Sequence, residues 1–449
     1  MPNVLARLGL STPALRAWAM YDWANSAIFT VVVTAVFPTY FARVPAAGLA
    51  GDVGTARYSY ATTAALLLAV VLSPVVGAIG DARPVKKRLL ATLVGFGALA
   101  TAALALAGEG DWLAALLAFA AVNVAVNAST VVYDALLPHL ARREELDRAS
   151  SAGYALGYLG GGAALGLALL AILQPGLVGL GGLAAREPSA PTRVAFVGVA
   201  LWWSLFSIPL LRGVPEPPVH PADGDASAAG GVGAAVREAF AGLAATLRAL
   251  RAMPDAWRFL LAFILYNDAI NTIIRMATVY GSQLGLAQSS LIGAILVVQF
   301  VGIPFAFAFG WLAGKVGAKR AILGALAVYG VITAVAYRLE TERDFWVLAV
   351  LVAMVQGGAQ ALSRSLYASL VPASRSGEFF GLFSVFNRFG GMLGPLAMGL
   401  VTQVTGSSRL GIVSVLAFFL AGGLLLSRVD VDAGRRQALA RDGEAGAAG

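Results

Sequence analysis

Asp22 and Asn25 stand three residues apart in the run Tyr21-Asp22-Trp23-Ala24-Asn25-Ser26, inside an apolar stretch long enough to cross a bilayer. Positions three apart on a helix share a face, so the pair makes one polar stripe, with Trp23 and Ala24 turned elsewhere. A charge at membrane depth costs about 2.5–3.5 kcal/mol on insertion scales, and it normally faces a protein interior or a water-filled path. The chemistry open to Asp22 is proton loading and release or contact with a polar ligand; a hydrogen bond to a neighbouring helix is the structural alternative. The same spacing returns in Tyr266-Asn267-Asp268-Ala269-Ile270-Asn271, where Asp268 and Asn271 share a face.

Counted from the helix ends, Asp22 lies about 8 Å into its span and Asp268 with Asn271 about 17–21 Å, close to the midplane. Depth makes Asp268 the substrate candidate and Asp22 the gate candidate. The intramembrane cations are Arg388, about 15 Å deep, and Arg275, two turns beyond Asp268 on its face. A guanidinium fork suits a carboxylate ligand, and it suits neutralising Asp268 equally well. Asp134 and Arg364 fall near helix ends, where a gate or an inter-helix ion pair is expected. Gln356 and Gln360, four apart, form a cavity pair; Asn123, Asn127 and Gln299 read as helix glue, since amides in hydrocarbon need partners. The glycines Gly153, Gly157, Gly160, Gly161, Gly162 and Gly166 have no preceding strand and no following Lys-Ser/Thr, so they predict close helix packing rather than a phosphate loop.

Twelve apolar segments of spanning length position these residues. They are 17–42, 58–80, 88–107, 112–138, 150–174 and 192–212, then 257–283, 289–313, 321–338, 345–370, 378–403 and 409–427. The expected organisation is an N-terminal six-helix bundle at 1–212, a cytoplasmic linker at 213–255, a C-terminal six-helix bundle at 256–428 and a disordered cytoplasmic tail at 429–449. The linker begins with Pro215, Pro217, Pro218 and Pro221. It then spaces Phe240, Leu243, Leu247 and Leu250 helically, with Arg237, Arg248 and Arg251 on other faces, as a helix on the membrane surface would.

Hydrophobic residues make up 59% of the 449 and charged ones 12%, with a mean hydropathy of +0.78, which excludes a soluble enzyme and a disordered chain. The net charge of +8 does not signal nucleic acid, because the basic residues sit mostly in alternate loops. With the N-terminus in the cytoplasm, 22 lysines and arginines fall on that side, 7 on the other and 3 within spans. That bias puts both termini in the cytoplasm and demands an even number of crossings. Arg7 and Arg16 before the first span resemble a secretory signal, but the run is too long and carries Asp22, so a retained helix is expected. There is no cysteine, and His139 and His220 lack carboxylate clusters at ligand spacing, so no metal site is expected. No cofactor motif and no nucleophile–base pair can be assembled, which predicts a non-enzyme.

The halves repeat. Tyr133, Leu136 and Pro138 close the fourth segment as Tyr367, Leu370 and Pro372 close the tenth, and Gly77-Ala-Ile-Gly80-Asp81 followed by Lys86, Lys87 and Arg88 corresponds to Gly310 through Arg320. Two halves of like orientation form a parallel repeat about an axis along the membrane normal, predicting an all-α polytopic membrane protein of two six-helix bundles related by pseudo-twofold symmetry. The Gly77/Asp81/Lys86–Arg88 pattern resembles the hairpin motif of the major facilitator superfamily and implies a cytoplasmic gate. The pattern departs from the family in two places: Pro84 stands where a turn glycine is usual, and Gly314 where the second copy's aspartate would be. YDWANS, the stretch Gln356 to Tyr367 and Phe379 to Ser384 resemble the vacuole effluxer-like branch, related to an autophagy-associated amino-acid exporter.

That resemblance implies a secondary transporter working by alternating access, with proton-coupled efflux of small solutes such as amino acids. An exporter of lipophilic or drug-like compounds is the alternative on the same fold, and a transport-dead sensor or scaffold the alternative of another class. The expected partners are a small-molecule substrate, protons and the lipid bilayer, for a monomer in a bacterial inner membrane.

Overall fold

The computed structural model describes residues 4–49, 51–218, 242, 244–283, 288–405 and 408–447. Among the described residues twelve long helices order the chain: α1 Pro13–Arg43, α2 Gly51–Ala82, α3 Lys86–Leu106, α4 Trp112–Leu140, α5 Leu146–Leu173 and α6 Ala190–Gly213 in one half. The other half has α7 Pro254–Gln283, α8 Gln288–Val316, α9 Ala318–Tyr337, α10 Glu342–Leu370, α11 Ser376–Thr405 and α12 Ser408–Ser427. Among the described residues ten of these are long and apolar enough to cross a membrane, and the other two, α7 and α11, are 30 residues each. No strand occurs among the described residues.

Local chemistry sets the helix starts. Thr12 accepts the Leu15 N–H ahead of Pro13, whose fixed φ and missing N–H suit a first turn, and α10 opens on a reciprocal capping box between Thr341 and Asp344. Within α1 the backbone is π-wound over Ile28–Val36, just before Pro38, which has no N–H to return to the preceding turn. Large apolar side chains such as Leu67, Leu99, Leu117, Leu201, Leu396 and Leu424 point outward, as lipid-facing positions do, while Trp18, Tyr21, Phe119, Tyr266 and Tyr367 fill the interior.

The packing repeats in the two halves. Helix α1 packs on α5 and α6, α2 on α4, and α3 on α4 and α6; α7 packs on α11 and α12, α8 on α10, and α9 on α10 and α12. Adding six to each number of the first set yields the second. Between the halves α5 meets α8 and α2 meets α11, two seams that exchange when the halves are exchanged. The named contacts across these seams run from the face carrying the basic loops, the basic face below, to mid-depth.

Two peripheral segments lie on that face. The linker is helical at 244–251, with Leu250 fully buried, and Thr246 donates its hydroxyl to Glu378 at 2.5 Å. Arg237, Phe240, Leu243 and His220 lie outside the described residues. The segment expected to be a disordered tail is instead helical over Val431–Ala447 (α13) and docked. Its Asp442 accepts the N–H groups of Ala373 and Ser374, both at 3.0 Å, Gln437 donates to the Ala252 carbonyl, and Ala438 is fully buried. Composition alone suggested disorder because few of its side chains are apolar; the burial of Gly434 and Ala438 and the polar contacts of Asp442 and Gln437 hold it instead.

Candidate functional site

A cavity of about 230 Å³ lies between the halves, lined by Asp22, Asn25, Ser26, Phe29 and Thr30 of α1, Thr130 and Asp134 of α4, and Tyr154, Gly157 and Tyr158 of α5. The second half contributes Gln299 from α8 and Gln356, Gln360 and Arg364 from α10. Arg364 crosses from its own half to reach all three facing helices. It donates to Asp22 Oδ2 from both terminal nitrogens at 3.2 Å, to Asp134 Oδ1 at 3.2 Å, to Ser150 Oγ at 2.8 Å and to the Ser150 carbonyl at 2.9 Å. Its guanidinium also lies 4.6 Å from the Tyr154 ring and 5.0 Å from that of Trp18, within cation–π reach.

The carboxylates are positioned in turn. Tyr133 donates its hydroxyl to Asp22 Oδ2 at 2.7 Å, and the Tyr133 ring is stacked on Trp18 at 4.5 Å. The glycines of α5 let α1 approach: a Cβ at Gly153 would strike the Asp22 carboxylate, one at Gly157 the Ser26 hydroxyl at 2.7 Å, and one at Gly160 the Trp23 backbone. Gln299 donates to Thr30, in the π-wound part of α1, at 2.8 Å. Across the α5–α10 contact, Ser150 donates to the Ala361 carbonyl at 2.7 Å and Ser365 to Asp147 at 2.5 Å.

Depth along the helices gave the opposite ranking of the two aspartates. Asp22 lines the cavity, whereas Asp268 does not reach it; Asp268 is fully buried on the α7–α11 seam, beside Thr272 and Gly394. Asn271 donates back to the Asn267 carbonyl of its own helix. The side chains of Arg275 and Arg388 lie outside the described residues. Asp134 and Arg364, expected at a gate, form the floor of the cavity, and Asn25, Gln356 and Gln360 line it.

The reason for the exchange is register. Asp22 lies against Gly153 and Trp23 against Gly160, while Asn267 donates to Asn387 and Asp268 lies against Gly394, and both steps on the partner helix are seven residues. The equivalent pairs are therefore Tyr21 with Tyr266 and Asp22 with Asn267. The second Asp-x-x-Asn motif is rotated by one residue, about 100°, out of the cavity. The two tyrosines were the signal that would have found this.

Below the cavity, at the basic face, Asp81 accepts the N–H groups of Gly377 at 3.0 Å and Glu378 at 2.8 Å, at the N-terminus of α11, where orphan donors and the helix dipole favour a carboxylate. Lys86 pairs with the same carboxylate at 2.7 Å, and both side chains are buried. Gly77 lies so close to Gly377 that a Cβ would collide with its carbonyl oxygen. Lys87 donates its backbone N–H to Glu216, and Arg88 is exposed.

The profile of the family described as "Vacuole effluxer Atg22 like" matches residues 48–150 and 144–439. The chain belongs to this family. Its relative in Bacillus subtilis (strain 168), "Uncharacterized MFS-type transporter YxiO", is 34% identical over 426 residues, covering 92% of this chain and 94% of the relative. "Autophagy-related protein 22" of Cryptococcus neoformans is 28% identical over 65% of this chain, which spans about half (52%) of that fungal protein. Among solved structures, the human organic anion transporter MFSD10 superposes with a TM-score of 0.68 at 15% identity, over 94% of this chain and 99% of its own. The proton:xylose symporter XylE does so with 0.67 at 14%, over 95% and 96%. These identities carry the fold alone. This member of the vacuole effluxer-like family is thus a multi-pass membrane transporter of the major facilitator superfamily, not an enzyme.

Proposed function

We propose that the protein exports a small polar solute of amino-acid size from the cytoplasm of a bacterium across its inner membrane, exchanging it for protons. The single observation that carries this reading is the cavity at the seam of the two halves, where one buried guanidinium joins two carboxylates from the other half. Two carboxylates against one guanidinium leave the cluster one negative charge in excess, which a proton or a bound cationic group balances. The polar lining and a volume below the range of about 300–1,000 Å³ typical of sites for drug-sized ligands favour a small polar solute over the lipophilic alternative. The bias of basic residues supports the basic face as cytoplasmic. The arrangement described is then closed to the cytoplasm, with Asp81, Lys86 and Gly77 at the closure and alternating access proceeding by parting of the α2–α11 and α5–α8 seams.

Transport tests the reading directly. In proteoliposomes the wild type is expected to accumulate a labelled amino acid under an imposed pH gradient, and Asp22→Asn or Asp134→Asn to lose that drive while still exchanging solute at concentrations high enough to offset weaker binding, because exchange needs no net proton movement. Accumulation by both variants with the wild-type dependence on the gradient would take these carboxylates out of proton coupling.

The closure has its own test. Asp81→Asn leaves Lys86 buried without its counter-ion and weakens two charge-assisted hydrogen bonds, each worth about 1.5–3 kcal/mol. The variant is expected to favour the state open at the basic face by at least about tenfold. Alkylation of cysteines placed on that side measures it, and an unchanged rate would remove Asp81 from the gate.

A further inference from the structure

Arginine carries five N–H donors and no acceptor. Arg364 spends all five inside the protein: one on the Ser150 hydroxyl, two on Asp22, one on Asp134 and one on the Ser150 carbonyl. It has no donor left for a ligand's carboxylate. The acceptors are in the opposite condition. The bonds from Tyr133 and Arg364 to Asp22 all fall on Oδ2, and the bond to Asp134 falls on Oδ1, so Asp22 Oδ1 and Asp134 Oδ2 accept nothing among the described residues. Both residues line the cavity, and their side chains keep 14% and 13% exposure there.

A second observation points to a ligand at the other end of the cavity. Tyr158, only 8% exposed, lines it with a hydroxyl that has no partner among the described residues, and Gln356 and Gln360 bring amides one helical turn apart. These groups are neutral and dipolar. One end of the cavity therefore offers free anionic acceptors, and the other uncharged donors and acceptors.

Building on the reading that this cavity carries the solute, we infer that it recognises a protonated amine, with the ammonium on Asp22 Oδ1 and Asp134 Oδ2 and the remainder of the solute toward Gln356, Gln360 and Tyr158. An ammonium has three donors and no acceptor, which matches two carboxylate oxygens and a neighbouring amide carbonyl. The cluster's excess negative charge is then offset by the solute's own cation. A solute carboxylate is not required, and Arg364 serves as a positioning residue that holds the two carboxylates apart and in place.

A matched series on the purified full-length protein decides this: leucine, leucinamide (amine kept, carboxylate removed), N-acetyl-leucine (carboxylate kept, amine blocked) and the neutral sugar xylose. Thermal shift in detergent and counterflow in proteoliposomes are the two readouts. Leucinamide is expected to bind at least as well as leucine and N-acetyl-leucine at least about tenfold more weakly, the factor for losing one charge-assisted contact. Asp134→Asn is expected to weaken leucinamide by a similar factor, though the wild-type series alone is decisive. Binding of N-acetyl-leucine in preference to leucinamide overturns the inference. Exchange of xylose with no response to any amine also overturns it and leaves the export reading standing, whereas exchange of none of the four removes both.

Discussion

Arg364→Ala is expected to abolish solute exchange and to lower the melting temperature more than any other single change in the cavity. The guanidinium is 5% exposed and is the cation between Asp22 and Asp134, so its removal leaves two carboxylates facing each other at the seam. Breaking a buried ion pair by removing one partner costs about 3–5 kcal/mol, chiefly because an uncompensated charge remains. Arg364→Lys keeps the charge but offers three donors in place of five and no planar fork, so it is expected to recover part of the stability and little of the exchange. Neutralising the carboxylates as well, with Asp22→Asn and Asp134→Asn on the Arg364→Ala background, should restore the melting temperature without restoring transport. Thermal denaturation in detergent and counterflow in proteoliposomes check the series. A wild-type melting temperature for Arg364→Ala would show that the cluster is not the electrostatic centre of the seam.

Gly77→Val is expected to hold the basic face open and to stop turnover while the protein still inserts and folds. A Cβ at position 77 would collide with the backbone carbonyl of Gly377, which cannot rotate aside, and one at Gly381 would come within 2.9 Å of Pro74 Cα and the Ser73 carbonyl. The α2–α11 seam thus closes backbone to backbone. Forcing it apart also draws the Gly377 and Glu378 N–H groups off Asp81. An overpacking penalty of about 1–3 kcal/mol falls on the closed state alone and moves a two-state balance by about 5- to 150-fold. Because the chain has no cysteine, Ser384→Cys makes a clean reporter: the Ser73 and Ser384 hydroxyls are 3.4 Å apart across the closed seam. Its labelling by a membrane-impermeant maleimide from the basic side should accelerate by that factor in Gly77→Val, and exchange should fall with it. Unchanged labelling and exchange would mean that the seam does not part there during transport.

The twelve spans were legible because lipid imposes a one-dimensional rule: about 20 apolar residues per crossing, interrupted by charge. The repeat was legible as well, since the two halves carry motifs such as Tyr133-x-x-Leu136-x-Pro138 and Tyr367-x-x-Leu370-x-Pro372 in the same place along the chain. The loop around Gly77 and Asp81 pointed to a cytoplasmic gate only through its resemblance to the superfamily's hairpin motif; the close approach of Gly77 to Gly377 came from the packing of α2 on α11. Composition misled at the tail, where α13 is held by the hydrogen bonds of Asp442 and Gln437 and by the buried Ala438 and Gly434, which a count of apolar residues overlooks.

By itself, then, the sequence determined the class of protein, the number and order of its helices, the repeat and the residues that pay a cost for being in a membrane. The tertiary structure decided which of those residues meet. Asp22 and Asp268 share a motif and an interval, but one residue of rotation turns Asp22 into the cavity and Asp268 into the seam with α11. Arg364 reads along the chain as an end-of-helix cation; only the crossing of α10 over α1, α4 and α5 brings it to two carboxylates more than two hundred residues away. The physical reason is that desolvation acts on each residue alone and marks a buried charge in one dimension, whereas ion pairing depends on distance and direction in three, which are set by how the helices pack.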